Sequence, residues 1–331
     1  MNYAQANVLI TGGVGLIGSH LARQLIRQGA RVTIVDALLP GQGGNLWNIR
    51  DIRGQVELHQ VDIRDTYAMR ECLPGHDVMF NLAGQTSHWD SMTAPHADLD
   101  INVQAQLKLL ELCLACNPSL RIVFTSTRQV HGRPKQLPID ESHPVQPVDI
   151  NGIHKATGEH YHRLFHAFHG MPVTILRLTN TYGNGMRIMD SRLSFLGFWI
   201  RLLIEGKPLP IYGDGRPLRD FNHVDDCVAA LLLAGMHPKA IGQTYLLGGN
   251  EVISMLELGK RMAEWFDGAY NLVPFPCDRR KIDIGSAYCN FQRISEDLDW
   301  HPRMDLKTGL TRTVDYYRRH FSLYLGTQRV Q

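Results

Sequence analysis

The fold of this chain is decided by the stretch Val8-Leu-Ile-Thr-Gly-Gly-Val-Gly-Leu-Ile-Gly-Ser-His-Leu-Ala-Arg-Gln-Leu25, which is followed by Gly29-Ala-Arg-Val-Thr-Ile-Val-Asp36. The apolar run at its start predicts a buried strand, and the apolar residues after the glycines recur at helical spacing. A second apolar run, Val32 to Val35, predicts another buried strand that ends at Asp36. Strand, glycine turn, helix and strand in this order predict a βαβ unit.

The glycines of this unit indicate a binding site for a dinucleotide. Glycine lets the backbone approach a pyrophosphate, the helix N-terminus offers free N–H groups, and an acid after the second strand can bind a ribose diol. The spacing is Gly-x-x-Gly-x-x-Gly, and the acid favours NAD over NADP because a carboxylate repels a 2′-phosphate. The residues of this unit predicted to bind NAD are Gly12, Gly15, Leu16, Ile17, Gly18 and Asp36.

The composition is typical of a soluble globular protein. The 331 residues are 44% hydrophobic and 20% charged, and the net charge of +2 argues against nucleic acid as a partner. No window approaches about 18 uncharged apolar residues, as a membrane span requires, and the segment Met1 to Ala6 is too short and polar for a signal peptide. The six cysteines are scattered, so we expect a cytoplasmic protein without a metal site or a membrane partner.

Strands and helices alternate along the first half of the chain. Strands are predicted at Val56–Asp62, Asp77–Gly84, Leu120–Thr127 and Val173–Leu178, and helices at Ile101–Cys116 and Asn151–His169. This alternation predicts the α/β class, with a doubly wound parallel sheet of the Rossmann type. Because ligands bind at the carboxyl ends of such strands, we expect further cofactor contacts from Asp62, Ile63, Leu82 and Ala83.

From Asn180 onward the pattern changes, and we predict a smaller C-terminal lobe that is interleaved with the first and binds the substrate. Its segments include the helices Phe195–Ile204 and Met255–Phe266 and the loop-rich stretch Gly206–Pro217. A helix at Cys227–Ala234 and a strand at Thr244–Leu247 are expected to return to the sheet. The predicted boundaries are 1–180, with 223–250, for the NAD-binding domain, and 181–222 with 251–331 for the second lobe.

Motifs along nearly the whole chain resemble those of the extended short-chain dehydrogenase/reductase family, the NAD-dependent nucleotide-sugar epimerases and dehydratases. They are the Thr11-Gly-Gly-x-Gly-x-x-Gly18 opening, Asn81-Leu-Ala83-Gly84, Pro95 with Asp98 and Asn102, Thr125-Ser-Thr127, Gly213-Asp-Gly215 with Arg219-Asp-Phe, and His223-Val-Asp225-Asp226. The resemblance implies NAD as cofactor, a nucleotide-diphosphate sugar as substrate, and a homodimer through the helices 101–116 and 151–169.

In such enzymes a tyrosine removes a proton from a sugar hydroxyl while a hydride passes to NAD. A lysine four residues later lowers the tyrosine pKa and holds the nicotinamide ribose, and a Ser or Thr orients the same hydroxyl. Lys155 matches the lysine and Thr127 matches the hydroxyl residue, but the tyrosine position holds Asn151. An amide does not act as a base near neutral pH.

Three explanations of this departure are open. In the first, another side chain serves as the base. The candidates are His154, Lys155, His88 and Tyr182. In the second, Asn151 only positions the substrate, and Thr127 passes the proton to solvent or to the cofactor ribose. In the third, the protein has lost the oxidation chemistry and only binds NAD.

The residues after Thr127 favour epimerisation. In the family, 4,6-dehydratases carry an Asp-Glu pair there and uronate decarboxylases carry a Glu, whereas this chain has Arg128 and Gln129. Neither residue can replace a carboxylate acid or base. We therefore expect a 4-epimerase that works through a transient 4-keto intermediate. The alternatives are a dehydratase or ketoreductase with a non-standard base, and a non-catalytic NAD-binding protein.

The resemblance also implies anchors for the substrate. Asn180 matches a residue that binds the sugar or its phosphate, and Arg219, with Arg279 or Arg280, would clamp the diphosphate as guanidinium forks. The loop that follows the fourth strand usually faces the hexose. The predicted substrate-binding residues are therefore His88, Ser91, Thr127, Asn180, Arg219 and Arg280.

Overall fold

The computed structural model describes residues 3–325, in which strands and helices alternate as the sequence predicts. The strands, in chain order, are β1 (Asn7–Thr11), β2 (Arg31–Val35), β3 (Val56–His59), β4 (Val78–Asn81), β5 (Arg121–Thr127), β6 (Val173–Leu178), β7 (Asn180–Tyr182), β8 (Leu209–Tyr212), β9 (Leu218–His223), β10 (Thr244–Leu246), β11 (Val252–Ser254) and β12 (Tyr270–Val273).

The α-helices are α1 (Leu16–Arg27), α2 (Thr66–Cys72), α3 (His88–Thr93), α4 (Pro95–Leu99), α5 (Ala105–Cys116), α6 (Ile150–His169), α7 (Phe195–Ile204), α8 (Val224–Met236), α9 (Met255–Phe266), α10 (Cys277–Lys281), α11 (Gln292–Leu298) and α12 (Leu306–His320). A π-helix, Asp100–Gln104, joins α4 to α5. None of the helices within residues 3–325 has the length and apolar character needed to span a membrane.

Seven strands form one sheet in the order β10-β6-β5-β4-β1-β2-β3. All six neighbouring pairs are parallel. The chain runs from β1 outward to β3 on one side and then returns to build β4, β5 and β6 on the other. This reversal leaves a crevice at the carboxyl ends of the strands beside β1. The predicted doubly wound Rossmann sheet of the α/β class is confirmed.

Apolar layers cover both faces of this sheet. On one face α1 and α8 pack together, with Leu21 and Leu231 fully buried. On the other face α2, α5 and α6 pack together, with Leu109 and Phe165 in the core. Because strands of a parallel sheet are buried on both faces, they appear in the sequence as continuous apolar runs.

The second lobe contains two small sheets, β11-β9-β7 and β12-β8, around a third apolar core. The stretch Gly206–Pro217, expected to be loop, contains β8, which pairs with β12 by placing Leu209 opposite Tyr270. Along β8 buried and half-buried residues alternate, with Leu209 and Ile211 in the core. A strand of four residues between glycines and prolines is too short for this two-residue period to be recognised in the sequence. The domain boundaries stay a prediction, although β10 does pair with β6 and α8 does pack on α1.

Two predicted elements differ at their ends. The third strand ends at His59 rather than at Asp62. The helix expected from Ile101 begins with the π-helix, a wider turn that is frequent at functional sites. Within this turn, the Asn102 amide nitrogen donates to an Asp98 carboxylate oxygen at 3.0 Å and to the Gln85 carbonyl at 2.9 Å.

Asp226 joins the C-terminal segment to α8. Its two carboxylate oxygens accept hydrogen bonds from the backbone N–H groups of Arg303 and Met304, each at 3.0 Å. Its carbonyl accepts the indole N–H of the buried Trp300 at 2.9 Å. Residues far apart in sequence are thus fixed to the helix that packs on the sheet, and the two lobes are interleaved.

Gly18→Ala tests the glycine turn. A Cβ at residue 18 would lie 2.5 Å from the Gly12 carbonyl oxygen and 2.6 Å from the Gly13 Cα, so α1 must move away from the turn. We expect the free energy of unfolding to fall by about 1–3 kcal/mol and NAD binding to weaken, as measured by urea denaturation and calorimetry. Gly54→Ala is the control, because a Cβ there meets open space. Equal losses in the two variants would contradict this role of the turn.

Candidate active site

A cleft of about 660 Å³ lies along the carboxyl ends of β1, β2, β4, β5 and β6 and continues between the sheet and the second lobe. The sheet side of the cleft is formed by the glycine turn and the ends of the strands. The other side is formed by residues that follow β7, by α7 and by the segment around α10. The structure brings all the predicted NAD-binding residues together in the lining, namely Gly12, Gly15, Leu16, Ile17, Gly18, Asp36, Asp62, Ile63, Leu82, Ala83 and Lys155.

The glycine turn leaves space for a pyrophosphate. Gly12 has a φ of +71°, a backbone conformation that residues with a side chain rarely adopt. Gly15 is the N-cap of α1, so no side chain occupies the N–H groups at the helix start. Asp36 accepts hydrogen bonds from the backbone N–H groups of Val14 and Leu38 at 3.1 and 2.9 Å. These bonds fix the carboxylate and leave it further acceptor capacity for a ribose diol.

Lys155 lies at the base of the cleft and is buried. Burial lowers the pKa of its ammonium to about 8, against the attraction of Asp98 and Glu159, which raises it. A Cβ at Gly84 would come within 2.7 Å of the Lys155 nitrogen, so a side chain there would displace the amine. Within the described residues, the neighbouring Asn102 Oδ1 is buried without a hydrogen-bond partner. The buried Lys155 amine is the group at this point of the lining that fits the hydroxyls of a nicotinamide ribose, whereas Asn102 lies behind the lining.

Asn151 is turned into the wall of the cleft. Its amide nitrogen donates to an Asp98 carboxylate oxygen at 2.9 Å and to the Gln85 carbonyl at 2.9 Å, and its side chain is almost fully buried. Its backbone N–H donates to the Ser91 hydroxyl at 3.1 Å. The amide donors therefore hold the structure around α6 together, and the residue offers no basic group to the cleft.

Two of the candidate bases lie away from the cleft. The His154 Nδ1 lies 2.6 Å from the buried carboxylate of Asp98, and His154 is absent from the lining. Helical spacing turns it away from the face that carries Asn151 and Lys155. Tyr182 is buried in the core of the second lobe, where burial raises its phenol pKa above the usual range. Lys155 and His88 are the two candidate bases that line the cleft.

Thr127 lies in the lining at the end of β5, and its hydroxyl oxygen accepts the backbone N–H of Gln129 at 3.1 Å. The hydroxyl proton is available to a ligand. Arg128 is almost fully buried and forms an ion pair with the equally buried Asp220 at 2.7 Å. This guanidinium is held by a buried partner through Nη1 and joins the end of β5 to β9, and the residue also forms part of the cleft lining.

The loop after β4 places one of its predicted residues in the cleft and the other behind it. His88 lines the cleft with a third of its side chain exposed, and its Nδ1 lies 3.1 Å from the fully buried carboxylate of Asp149. Ser91 is fully buried, donates to the His88 carbonyl at 2.8 Å and accepts from Asn151. Ser91 was predicted to bind substrate, but in the structure it faces α6 and joins α3 to it.

The predicted anchors meet at the end of the cleft in the second lobe. Asn180 and Arg219 line it. Arg280, predicted to clamp the diphosphate, instead places its guanidinium over the Phe275 ring at 5.9 Å and is exposed. Its neighbour Arg279 takes the expected place in the lining, because successive residues of the short helix α10 point in different directions. Arg279 donates to the Ser191 hydroxyl at 2.9 Å.

Sequence reasoning missed the part played by two carboxylates. Asp98 enters the sequence prediction only as part of a motif. In the structure its carboxylate accepts hydrogen bonds from the side chains of Asn102, Asn151 and His154. Asp149 was not singled out at all. An acid three residues before Gly152 at the start of a helix is a recognisable N-cap signal, and Asp149 does accept the Gly152 N–H at 2.7 Å. Its pairing with His88, 61 residues away, had no signal in the sequence.

The fold and the cleft define a class of proteins in which a doubly wound sheet binds a dinucleotide and a second lobe faces it. Residues 8–248, well over half of the chain, match the model of the NAD dependent epimerase/dehydratase family. The chain belongs to this family of enzymes, and its cofactor is NAD.

Similar proteins include both dehydratases and epimerases. A dTDP-glucose 4,6-dehydratase from an Actinoplanes species is 30% identical over 324 residues, which cover 95% of this chain and 98% of the relative. The structure of a Thermotoga maritima UDP-glucose 4-epimerase with UDP-glucose matches with a TM-score of 0.85 and 28% identity, covering 95% of this chain and 99% of that one. An epimerase from Methanothermobacter thermautotrophicus matches with a TM-score of 0.90 and 26% identity, covering 97% and 95%.

The lowered pKa of Lys155 predicts a pH dependence of stability. Between about pH 8, where the folded ammonium titrates, and pH 10.5, its value in the unfolded chain, the unfolded state binds more protons. The contribution of Lys155 to stability therefore rises with pH over this window, because the buried charge is removed. Below pH 8 that charge destabilises the fold by on the order of 2–3 kcal/mol.

We expect the difference in unfolding free energy between the wild type and Lys155→Met to change steadily across this window, with the wild type gaining as the pH rises. Urea denaturation at a series of pH values measures it. An NMR titration of the lysine ε-carbon should show a midpoint near pH 8 that is missing from the variant. A difference in stability that does not vary with pH would contradict the lowered pKa.

Asn151→Ala tests whether this residue is structural. The variant removes donors from the buried Asp98 carboxylate and the Gln85 carbonyl, so we expect the unfolding free energy to fall by about 1–3 kcal/mol. His160→Ala, at an exposed position of the same helix, should change it by less than about 0.5 kcal/mol. Similar stability of Asn151→Ala and the wild type in urea denaturation would argue against a structural part for the amide.

Proposed function

We propose that this protein is an NAD-dependent 4-epimerase of a nucleotide-diphosphate sugar, working through a transient 4-keto intermediate. The observation that carries the proposal is the chemistry of the cleft beside Thr127. The two following residues, at which family dehydratases and decarboxylases carry acids, are here an arginine held by Asp220 and a glutamine whose amide donates to Asp149 at 3.1 Å. Neither is available to remove or add a proton at the sugar.

The carboxylates in the lining support the same conclusion. Among the described residues they are Asp36, Asp62 and Asp283. Asp36 and Asp62 follow β2 and β3, at the end where the adenosine half of NAD is expected, and Asp62 pairs with Arg64 at 2.6 Å. Asp283 lies 3.7 Å from Arg219, at the substrate end. The family resemblance implies a carboxyl group after Thr127 for loss of water or carbon dioxide, and none of these three acids stands there, whereas epimerisation at one carbon needs only the hydroxyl proton to be removed and returned.

The substrate end of the cleft has the character of a diphosphate site. Arg219 is largely buried, and burial together with the neighbouring Arg128 cation lowers its guanidinium pKa to about 10, against the opposing effect of Asp283 and Asp220. Its Nη1 donates to the Leu218 and Gly285 carbonyls, and its remaining N–H groups suit an anionic ligand. The Arg279 guanidinium lies 6.0 Å from the Trp89 and Tyr212 ring centres, which adds a second cation and aromatic surface.

The relatives supply the substrate class. One is named for dTDP-glucose and another was solved with UDP-glucose, so we assign a nucleotide-diphosphate hexose or uronate to this chain. Bound NAD would supply a reversible hydride acceptor. The Thr127 hydroxyl would hydrogen-bond the reacting sugar hydroxyl, and the Lys155 ammonium would hold the ribose and stabilise negative charge nearby. Asn151 would only keep this wall of the cleft in place.

The homodimer implied by the family resemblance is part of the proposal. Helix α6 exposes apolar side chains, with Ile153, Leu164 and Phe168 at 49%, 58% and 78% exposure. Helix α6 packs against α5 within the chain. The two helices therefore present one surface, and the same two helices of a second copy can cover it.

We expect turnover of a nucleotide sugar when the purified protein is incubated with NAD and a panel of UDP-, dTDP-, GDP- and CDP-hexoses and uronates. Mass spectrometry should show a product of unchanged mass, and proton NMR should show an altered coupling at C4. In D₂O the C4 hydrogen should be retained, because it leaves and returns as a hydride. Thr127→Ala and Lys155→Met should abolish turnover.

Two other outcomes would each replace the proposal. Loss of one water, with deuterium incorporated from solvent, would make the protein a dehydratase despite Arg128 and Gln129. Binding of NAD without turnover of any sugar in the panel would place the protein among non-catalytic NAD-binding proteins.

A further inference from the structure

His88 and Asp149 form a histidine–carboxylate pair at the surface of the cleft. The imidazole Nδ1 lies 3.1 Å from an Asp149 carboxylate oxygen, and the exposed fractions of the two side chains are 33% and 0%. Asp149 is the N-cap of α6, and His88 is the first residue of α3. The pair therefore combines a buried acid with a histidine that reaches the ligand space.

The pair lies directly beside the position of the missing tyrosine. The Asn151 N–H donates to the Ser91 hydroxyl at 3.1 Å, and that hydroxyl donates to the His88 carbonyl at 2.8 Å. Two consecutive hydrogen bonds thus join the backbones of residues 151 and 88. His88 reaches the cleft from α3, next to the part of the wall where the Asn151 amide is turned inward.

The partners of Asp149 determine which imidazole nitrogen is basic. The carboxylate accepts from the Gly152 N–H at 2.7 Å and from the Gln129 amide at 3.1 Å, in addition to His88. Burial raises the pKa of Asp149, but the bonds to His88, Gly152 and Gln129 outweigh it and the net shift is downward. An ionised carboxylate can only accept hydrogen bonds, so Nδ1 carries the proton. In the neutral imidazole the lone pair is then on Nε2, the ring nitrogen that Asp149 does not engage.

Gln129 links this pair to Thr127. Its side-chain amide donates to Asp149 while its backbone N–H donates to the Thr127 hydroxyl. His88, Gln129 and Thr127 all line the cleft. One hydrogen-bonded framework therefore positions both the hydroxyl that would orient the sugar and the imidazole next to it.

We propose that His88 is the general base that replaces the tyrosine of the family, an inference that rests on the proposed epimerase function. The O–H bond of the sugar C4 hydroxyl breaks, its proton forms a bond to Nε2, and the electron pair left on oxygen forms the C=O bond. The C4–H bond would break, and the hydrogen would leave with the bonding electron pair as hydride to the nicotinamide of NAD. With the other face of the ketone presented, the hydride would return to C4 and the imidazolium would give its proton back to the C4 oxygen, which would restore neutral imidazole and NAD. Between the two steps, the Asp149 carboxylate stabilises the imidazolium.

The other candidate in the lining suits a different task. At neutral pH, below its pKa of about 8, Lys155 is mostly protonated and carries no lone pair. Its cation can hold the ribose and stabilise the negative charge that develops on the sugar oxygen as the proton leaves. His88 has one ring nitrogen, Nδ1, engaged by the Asp149 carboxylate, which leaves Nε2 as the nitrogen that can accept a proton.

His88→Asn is the decisive variant, because the asparagine amide can replace the Nδ1–H donor to Asp149 but has no counterpart of Nε2. We expect kcat to fall by about 10²–10⁴-fold with KM nearly unchanged, and the binding of NAD and of the nucleotide sugar to persist in calorimetry. His59→Asn is the matched control, since His59 also pairs with a carboxylate, Glu57 at 2.9 Å, on β3 outside the lining. It should keep wild-type kcat.

Two further measurements distinguish a role of His88 as a base from a structural role in which it only joins α3 to α6. In His88→Ala, added imidazole should restore part of kcat. In the wild type without substrate, ¹⁵N NMR should show His88 protonated at Nδ1 and free at Nε2, with the signal assigned by its absence from His88→Asn. Protonation at Nε2 instead would overturn the proposal independently of activity.

The remaining outcomes distinguish this inference from the function on which it rests. Turnover by the wild type and by His88→Asn at similar kcat would overturn the base and leave the epimerase intact. A rise in KM or a loss of NAD binding in both His88 variants, without rescue by imidazole, would make His88 a structural residue. Absence of turnover in the wild type would overturn the proposed epimerase function, and the proposed role of His88 as its base would then be overturned too.

Discussion

The buried carboxylate of Asp98 is the constraint on which the wall of the cleft depends. It is fully buried and receives N–H donors from Asn102 in the π-helix and from Asn151 and His154 in α6. A buried carboxylate that lacks donors destabilises a fold by several kcal/mol. The positions of α4, the π-helix and α6 are therefore mutually fixed, and Lys155 on the same helix is held at the base of the cleft.

This constraint explains why asparagine is a stable choice at position 151. An amide nitrogen carries two hydrogens, and here they meet the Asp98 carboxylate and the Gln85 carbonyl at 2.9 Å each. A phenol hydroxyl carries a single hydrogen and could not satisfy both. The asparagine thus satisfies two acceptors of the wall and offers no titratable group to the cleft, so chemistry that needs a base must use another side chain.

The fold and the cofactor site were predictable because their signals are local. The βαβ unit is a run of about thirty residues whose glycine spacing and apolar period can be recognised directly, and its six predicted residues all line the cleft. The second lobe was predicted less well, since β8 has only four residues and its partner β12 comes some sixty residues later. Ser91 and Arg280 show a further limit, because membership of the right loop does not reveal which way a side chain points.

The candidate site departs furthest from the sequence prediction where its contacts are long-range. The ion pair between Arg128 and Asp220 had no signal in the sequence, because the two residues are 92 positions apart. The two histidine–aspartate pairs, His154 with Asp98 and His88 with Asp149, illustrate the same point. His154 is closer to Asn151 in sequence, but His88 is the histidine that lines the cleft. The carboxylate of Asp98 already serves three donors, and its histidine is only 13% exposed. Asp149 caps the N-terminus of α6, where the helix dipole favours a negative charge, so it can remain ionised opposite an imidazolium. One pair is suited to holding structure and the other to exchanging a proton with a ligand.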